Sequence, residues 1–405
     1  MLDEADCPPS SLLDYQFGWR WLLPIMSGDN VLLLGFTKFE KAFWGQVFEN
    51  VFITEDATKA TILLVNDLSP DCIVDSDLVQ LRCFCVIGSG KIVAKWRKRF
   101  GDRFPEISNY ALLPPHNTRV VIPMNRTDWI LQGLELHRPG RWIARLGVTV
   151  LKGLTYIGIN FPLRTRMLCI ASSTAGILPW GAFRAGSELV SSDIHQNFIL
   201  YLGVSDESRK TVILPLGSKQ CLLLKQGELP KAKAALYNEA DALRAMSQTP
   251  IANQVPLLLK LVERNGVVTL YQEYRPRRYA TKARIDKATV NFLIMLTQQG
   301  GYTRSLTDVL AHSEILTANE AHAAGQIAYA RVRSYLDILA IKGMRIWGHR
   351  NHGDFAPWNC SWTSEGFFVF DWEMSQSWHI AFSDAFYFVI APELYINKKP
   401  EPIRA

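Results

Sequence analysis

Four short, uninterrupted runs of apolar residues near the start of the chain restrict its fold most strongly. A strand with one face in water alternates apolar and polar residues, whereas a strand buried on both faces is apolar throughout. The runs therefore predict a parallel sheet covered by helices, in a small Rossmann-like α/β domain over residues 1–123. The four candidate strands are Val31–Gly35, Val51–Thr54, Thr61–Val65 and Cys83–Ile87.

Length and composition point to an ordinary globular protein with more than one domain. The chain has 405 residues, which exceeds what one hydrophobic core usually supports. Its net charge of +6 is mild, and the short basic cluster at 95–99 is typical of a solvated helix face. We therefore expect no nucleic-acid partner, while the oligomeric state is left open.

Cysteine usage and the N-terminal segment both favour a reducing, cytoplasmic location. None of the seven cysteines has a C-x-x-C spacing, and Cys83 and Cys85 would share one buried face of a strand as thiols. The acidic start of the chain is unlike a secretory signal. The apolar stretch Trp142–Ile159 is interrupted by Arg145 and Lys152, so no transmembrane segment is predicted. A partly buried helix is favoured there, and peripheral contact with a membrane surface stays open.

The second half of the chain has a different pattern, which predicts an α+β architecture. Five candidate strands and one inserted helix indicate a small antiparallel lobe over residues 198–275, and the mainly helical remainder indicates a second lobe over 276–405. Residues 124–197 connect this part to the first domain. The candidate strands are Phe198–Leu202, Thr211–Leu214, Cys221–Lys225, Pro256–Leu259 and Val267–Tyr274; the candidate helices are Lys231–Ala245, Ala288–Gln299 and Ala318–Lys342.

One loop carries side chains that suit phosphate chemistry. It reads His349-Arg350-Asn351-His352-Gly353-Asp354-Phe355-Ala356-Pro357-Trp358-Asn359, and Phe367-Phe368-Val369-Phe370-Asp371-Trp372-Glu373 follows a short turn. Phosphoryl transfer needs an oriented nucleophile and cations that neutralise the phosphates. Asp354 could orient a hydroxyl, while Asn359 and Asp371 offer the hard oxygen ligands that Mg²⁺ prefers, and a hairpin between them would fold the second ligand back beside the first. Each residue alone would be an ordinary turn or cap residue.

The pattern H-G-D-x-x-x-x-N, followed by an apolar strand ending in D-W-E, resembles the aminoglycoside phosphotransferase and choline kinase family. The resemblance covers residues 198–392 and implies a two-lobed phosphotransferase domain of the protein-kinase-like fold. It implies ATP and Mg²⁺ as cofactors, with Asp354 as the catalytic base and Asn359 and Asp371 as metal ligands. The acceptor would be a small-molecule hydroxyl, on a sugar, an aminoglycoside-like compound or an amino alcohol.

The same resemblance assigns residues of the small lobe to ATP. Lys225 would contact the α- and β-phosphates and be held by Glu239, although two unrelated surface charges are the alternative. Gln272, Glu273 and Tyr274 would lie beside the adenine. The turn Ser205–Lys210 contains no glycine, which argues against a protein kinase.

Two other functions stay open. A pseudokinase would keep the fold as a binding or scaffold module without transferring phosphate. Residues 15–123 also resemble a degenerate class I S-adenosylmethionine-dependent methyltransferase, so a bifunctional protein with an active first domain is the other alternative. The bulky Phe36 follows Gly35, where a nucleotide-binding loop needs further glycines, and this favours a domain without a working cofactor site.

Overall fold

The computed structural model describes residues 18–47, 51–74, 78–115, 117–136, 142–173, 197–203, 208–216, 222–281, 284–312 and 323–397. The chain divides into two compact units, Met1–Leu236 with Leu259–Tyr274, and Tyr237–Leu258 with Arg275–Ala405. The domain limits predicted from the sequence, at residues 123, 197 and 275, stay a prediction.

The first unit contains the predicted parallel strands. They are β1 (Asn30–Leu34), β2 (Phe52–Thr54), β3 (Ile62–Asn66) and β4 (Cys83–Gly88), arranged in the order β4-β3-β1-β2 with every pair parallel. All six residues of β4 are buried, as its continuous apolar sequence requires. Cys83 and Cys85 lie on one face, with their sulfur atoms 3.8 Å apart, and both are free thiols.

This sheet continues through antiparallel strands into the part of the chain beyond residue 197. Among the described residues twelve strands form one sheet, in the order β11-β12-β10-β9-β8-β6-β5-β7-β4-β3-β1-β2. Strand β6 pairs with β8 through Val120 opposite Tyr201 and Val121 opposite Leu200, which joins the two predicted regions. The added strands are β5 (Glu106–Leu113), β6 (Val120–Pro123), β7 (Met167–Ser172), β8 (Phe198–Leu202), β9 (Thr211–Pro215), β10 (Leu222–Gly227), β11 (Leu258–Arg264) and β12 (Val267–Glu273).

Helices in the first unit cover this sheet with apolar faces. They are α1 (Lys38–Val47), α2 (Gly90–Phe100), α3 (Thr127–Leu136), α4 (Trp142–Tyr156) and the start of α5 (Pro230–Met246). Ser89 caps α2 by accepting a hydrogen bond from the backbone N–H of Ile92. The buried residues Val93, Trp96 and Phe100 then recur at helical spacing and pack against Phe84 of β4.

A buried aromatic cluster follows the first strand. Gly35 has a φ of 77°, and a Cβ atom there would lie 2.1 Å from the carbonyl oxygen of Asn66, so only glycine fits. Phe36 is buried with its ring edge-on to Trp44, at a centroid distance of 6.2 Å. The prediction of a domain without a working cofactor site stays a prediction.

The second unit has its own core and two small sheets. Strands β13 (Tyr279–Ala280), β16 (Cys360–Thr363) and β17 (Gly366–Val369) form one sheet, and β14 (Tyr302–Ser305), β15 (Arg345–Asn351) and β18 (Gln376–Ile380) form the other. Phe292, Phe355, Trp372 and Phe388 are fully buried in the core. The helices are the end of α5, α6 (Lys287–Thr297), α7 (Leu306–His312), α8 (Ala323–Ile341) and α9 (Ser383–Pro392).

Several sequence predictions need correction. The strand predicted at Pro256–Leu259 is found at Leu258–Arg264, and the loop predicted from His349 begins only after β15 ends at Asn351. Strands β5, β6 and β7 were not predicted, although β7 lies inside the sheet between β4 and β5. Cys221 and residues 205–207 of the predicted turn lie outside the described residues. In the part of the chain that is described, no helix is both long enough and apolar enough to cross a membrane.

Candidate active site

The β16–β17 hairpin brings the two ends of the predicted catalytic segment together. Cys360 pairs with Val369, so Asn359 and Phe370 stand opposite each other just outside the paired residues. The backbone N–H of Phe370 donates to the carbonyl oxygen of Asn359 at 3.0 Å. The hairpin therefore returns the chain to Asn359 one residue before Asp371, as the sequence predicted.

Two hydrogen bonds to Asp354 fix the orientation of the Asn359 side-chain amide. Its Nδ2 atom donates to Oδ2 of Asp354 at 2.7 Å and to the backbone oxygen of Asp354 at 2.9 Å. Asn359 is buried, and its Nδ2 group is committed to these two bonds. The amide oxygen Oδ1 is thus the atom that can serve as a metal ligand.

His352 and Asp384 brace the loop between β15 and Asn359. Asp384, buried on α9, accepts hydrogen bonds from the backbone N–H groups of His352 at 2.7 Å and Gly353 at 3.1 Å. Nδ1 of His352 accepts from the backbone N–H of Asp354 at 3.3 Å, so Nε2 carries the proton and donates to the carbonyl oxygen of Phe370 at 3.0 Å. Both ring nitrogens of His352 are therefore used in hydrogen bonds that hold the loop, which is a structural role.

Asp371 stands among carboxylates that could hold a cation. Carboxylate oxygens of Glu239, Asp371 and Glu373 lie within 4.8 Å of one another. Asp371 adopts a left-handed backbone conformation, with φ 72° and ψ 59°, two residues after the end of β17 at Val369. Asn238 of α5 donates to the backbone oxygens of Glu373 at 2.7 Å and Ser375 at 2.8 Å, which fixes this segment to the helix. Like charges this close repel one another, and a bound divalent cation would relieve that repulsion.

Burial has the largest effect on the pKa of Asp354. It raises the pKa of the Asp354 carboxyl above the usual value for aspartate, and the nearby charge of Asp371 acts in the same direction. Hydrogen bonds from Tyr387 and Asn359 partly oppose this shift. The folded protein thus keeps a carboxylate that is a better proton acceptor than an exposed aspartate.

Replacing Asp354 by asparagine is expected to stabilise the metal-free protein at neutral pH. The pKa of Asp354 is higher in the folded protein than in the unfolded chain, so the ionised carboxylate destabilises the folded state above that pKa. The neutral amide of asparagine removes this destabilisation, and its oxygen still accepts hydrogen bonds. In chelator-containing buffer we expect a rise in Tm on the order of 1–2 °C at neutral pH. The difference in Tm between variant and wild type should shrink as the pH falls through the pKa of Asp354 in the folded protein, because the wild-type carboxyl then becomes neutral. A lower Tm for the variant at neutral pH would contradict the proposed electrostatics.

The residues predicted to bind ATP lie in both units. Lys225 is buried in the first unit, on β10 between Val212 of β9 and Leu270 of β12. Gln272 and Glu273 end β12 opposite Leu223 and Leu222, and Tyr274 follows them. Glu239 belongs to the second unit, where it lies beside Asp371. Its pairing with Lys225, and the adenine contacts, stay predictions.

Three residues of the site were not predicted from the sequence. Asp384 and Tyr387 belong to α9, which the sequence places beyond the motif, and their proximity to Asp354 arises only from tertiary packing. Glu373 is the last residue of the D-W-E pattern. Its position two residues after Asp371 was the sequence feature that could have indicated a second carboxylate at the site.

Comparison with known proteins yields similarity only to solved structures, and the similarity is of low degree. No protein-family model matches the chain, and no curated protein does. The chain is similar to the solved structure of an aminoglycoside phosphotransferase from Streptomyces rimosus, in complex with ADP and streptomycin, with a TM-score of 0.31 and 13% sequence identity. The match covers 50% of this chain and 80% of that one. A similarity of this degree does not establish a shared fold, so the function is inferred from the site itself.

Proposed function

We propose that this protein is an ATP-dependent phosphotransferase that transfers the γ-phosphate to a hydroxyl of a small molecule. The observation that carries the proposal is the arrangement in the second unit, where Asp354 is bonded to Asn359 and the same hairpin places Asp371 among carboxylates. One proton acceptor beside a set of hard oxygen ligands is what phosphoryl transfer requires.

The donor set fits Mg²⁺. The amide oxygen of Asn359 and a carboxylate oxygen of Asp371 would be its ligands, with Glu373 and Glu239 nearby. When bound, the ion would neutralise charge on the phosphates. Lys225, with Gln272, Glu273 and Tyr274, is proposed to hold the nucleotide.

Asp354 is proposed to act on the acceptor alcohol. Its raised pKa makes it a competent hydrogen-bond and proton acceptor for the attacking hydroxyl. The hydroxyl oxygen forms a new bond to the γ-phosphorus while the bond from that phosphorus to the β-phosphate oxygen breaks and ADP leaves. The alcohol proton passes to Asp354 and then to solvent. Asn359 holds the carboxylate in place throughout, through the 2.7 Å hydrogen bond.

The surroundings of Asp354 favour an amino alcohol among the three acceptor classes. Tyr387 donates its hydroxyl proton to Asp354 and is hydrogen-bonded to Tyr395, whose ring lies 6.2 Å from that of Trp358. Adjacent aromatic rings attract an organic cation through their negative faces.

The proposal is tested by ATP consumption of the purified protein against a mixed panel of amino alcohols, sugars and aminoglycosides. We expect turnover with one acceptor class that requires Mg²⁺ and stops when a chelator is added. Nucleotide binding without turnover across the whole panel would instead support a pseudokinase. Turnover that continues in the presence of the chelator would contradict the assignment of Asn359 and Asp371 as metal ligands.

A further inference from the structure

Helix α4 has apolar residues on two opposite faces. On its inner face Val148 and Leu151 pack against the core cluster of the first unit, and Thr155 is buried. On its outer face Ile143, Leu146 and Val150 recur at spacings of three and four residues, as one helical stripe. Their exposures are 65%, 56% and 51%. A helix in water normally carries polar residues on the face away from the core, so this outer stripe is suited to a second apolar environment.

The exposed apolar surface continues past the end of the helix. Tyr156, the last residue of α4, is 80% exposed, and Ile157 in the following turn and Phe161 in the short helical segment after it are 68% and 72% exposed. We call this surface, residues 143, 146, 150, 156, 157 and 161, the outer stripe. All six residues fall within 143–161 and lie within one unit.

The segment of the chain that carries the outer stripe is free of acidic residues, although Lys152 forms an ion pair with Glu135 of α3 at 3.9 Å. Residues 137–187 contain no aspartate or glutamate, whereas the whole chain has 38 in 405 residues and about five would be expected by proportion in a segment of this length. Within the described part of that segment the basic residues are Arg145, Lys152, Arg164 and Arg166, and Arg145 and Arg164 are exposed. The exposed basic residues Arg145 and Arg164 beside exposed apolar side chains are complementary to a negatively charged apolar surface.

From this combination we infer that the outer stripe of α4 docks the protein on an anionic membrane surface, with the helix lying in the plane of the lipid headgroups. The two exposed basic residues would contact acidic headgroups while Ile143, Leu146 and Val150 enter the acyl region. A nucleic acid would satisfy the basic residues but would gain little from the aliphatic side chains. A second copy of this chain would bring the same positive charge to the interface, which opposes association through this face.

The test uses the full chain and vesicles of phosphatidylcholine, with or without phosphatidylserine, in a sedimentation assay. We expect binding to the anionic vesicles only, weakened by high salt. The variant Ile143→Ser/Leu146→Ser/Val150→Ser should bind at least about tenfold more weakly, since three apolar side chains no longer enter the lipid. The variant Arg145→Gln/Arg164→Gln should lose roughly tenfold as well, because each basic residue near the surface contributes separately.

The matched control replaces three equally exposed apolar residues elsewhere in the first unit. Phe52, Val74 and Val79 are 63%, 61% and 72% exposed, and Phe52→Ser/Val74→Ser/Val79→Ser should bind vesicles like the wild type. Circular dichroism confirms that both triple variants fold.

Three results would overturn the inference. They are failure of the wild type to bind anionic vesicles, equal binding by the α4 triple variant and the wild type, and equal binding to vesicles with and without phosphatidylserine. If the wild type ignores vesicles and only the α4 triple variant changes oligomeric state by light scattering, the face is an interface between copies instead. None of these results depends on phosphotransferase activity.

Discussion

Asp371→Asn is expected to weaken Mg²⁺-dependent nucleotide binding by roughly a hundredfold or more, since loss of even an outer partner of a metal ligand typically costs 10–100-fold. The substitution removes one of the clustered carboxylates at the end of the β16–β17 hairpin. Asparagine tolerates the left-handed backbone conformation that Asp371 adopts, so the fold should be preserved. Titration calorimetry with ATP, in the presence of Mg²⁺ or a chelator, measures the effect.

A matched control separates the loss of a ligand from the loss of a charge. Asp337→Asn also removes one carboxylate from the second unit, but this residue pairs with Arg333 on the surface of α8. Because an exposed ion pair contributes little, the control should bind nucleotide and metal like the wild type. Equal Mg²⁺ dependence in Asp371→Asn and the wild type would remove Asp371 from the metal site.

Gly353→Ala is expected to destabilise the second unit by about 3 kcal/mol or more, and to abolish activity. Gly353 has a φ of 84°, and a Cβ atom there would lie 2.1 Å from the carbonyl oxygen of Met374. Met374 ends the short helix that begins after Asp371, so relieving this clash would separate the Asp354 loop from the Asp371 segment. Denaturant unfolding of wild type and variant measures the difference in stability.

Gly343→Ala provides the control for backbone strain alone. Gly343 has a similar φ of 72°, but no other atom lies within 4 Å of the position of its Cβ. Its replacement should cost only about 1–2 kcal/mol, from the left-handed conformation. If both variants lose the same stability, the close approach of the loop to Met374 has no energetic importance.

The sequence predicted those parts of the fold that local patterns determine. Continuous apolar runs placed β1 to β4 correctly and indicated their parallel pairing, because strands buried on both faces have no polar alternation. The expected burial holds for β1, β3 and β4, whereas β2 ends the order of described strands and has Phe52 63% exposed. The spacing of Asn359 and Asp371 indicated a hairpin that returns one beside the other, and the structure contains it.

Other features depend on contacts that no local pattern encodes. The β6–β8 pairing joins strands almost eighty residues apart, and β7 enters the sheet between two strands that precede it in sequence. Asp384 resembles an ordinary residue of the first helical turn, and only the packing of α9 shows that it holds the loop at His352 and Gly353. Long-range register and the partners of a single carboxylate are decided by tertiary structure.

The most direct test of the central claim is transfer of labelled γ-phosphate from ATP to an alcohol by the wild type and by Asp354→Asn. The account predicts a labelled phosphate ester with the wild type. It predicts a loss of roughly a hundred- to ten-thousandfold in kcat for the variant, which is the usual contribution of a general base, with nucleotide binding retained. Transfer by Asp354→Asn at the wild-type rate would contradict the role of Asp354.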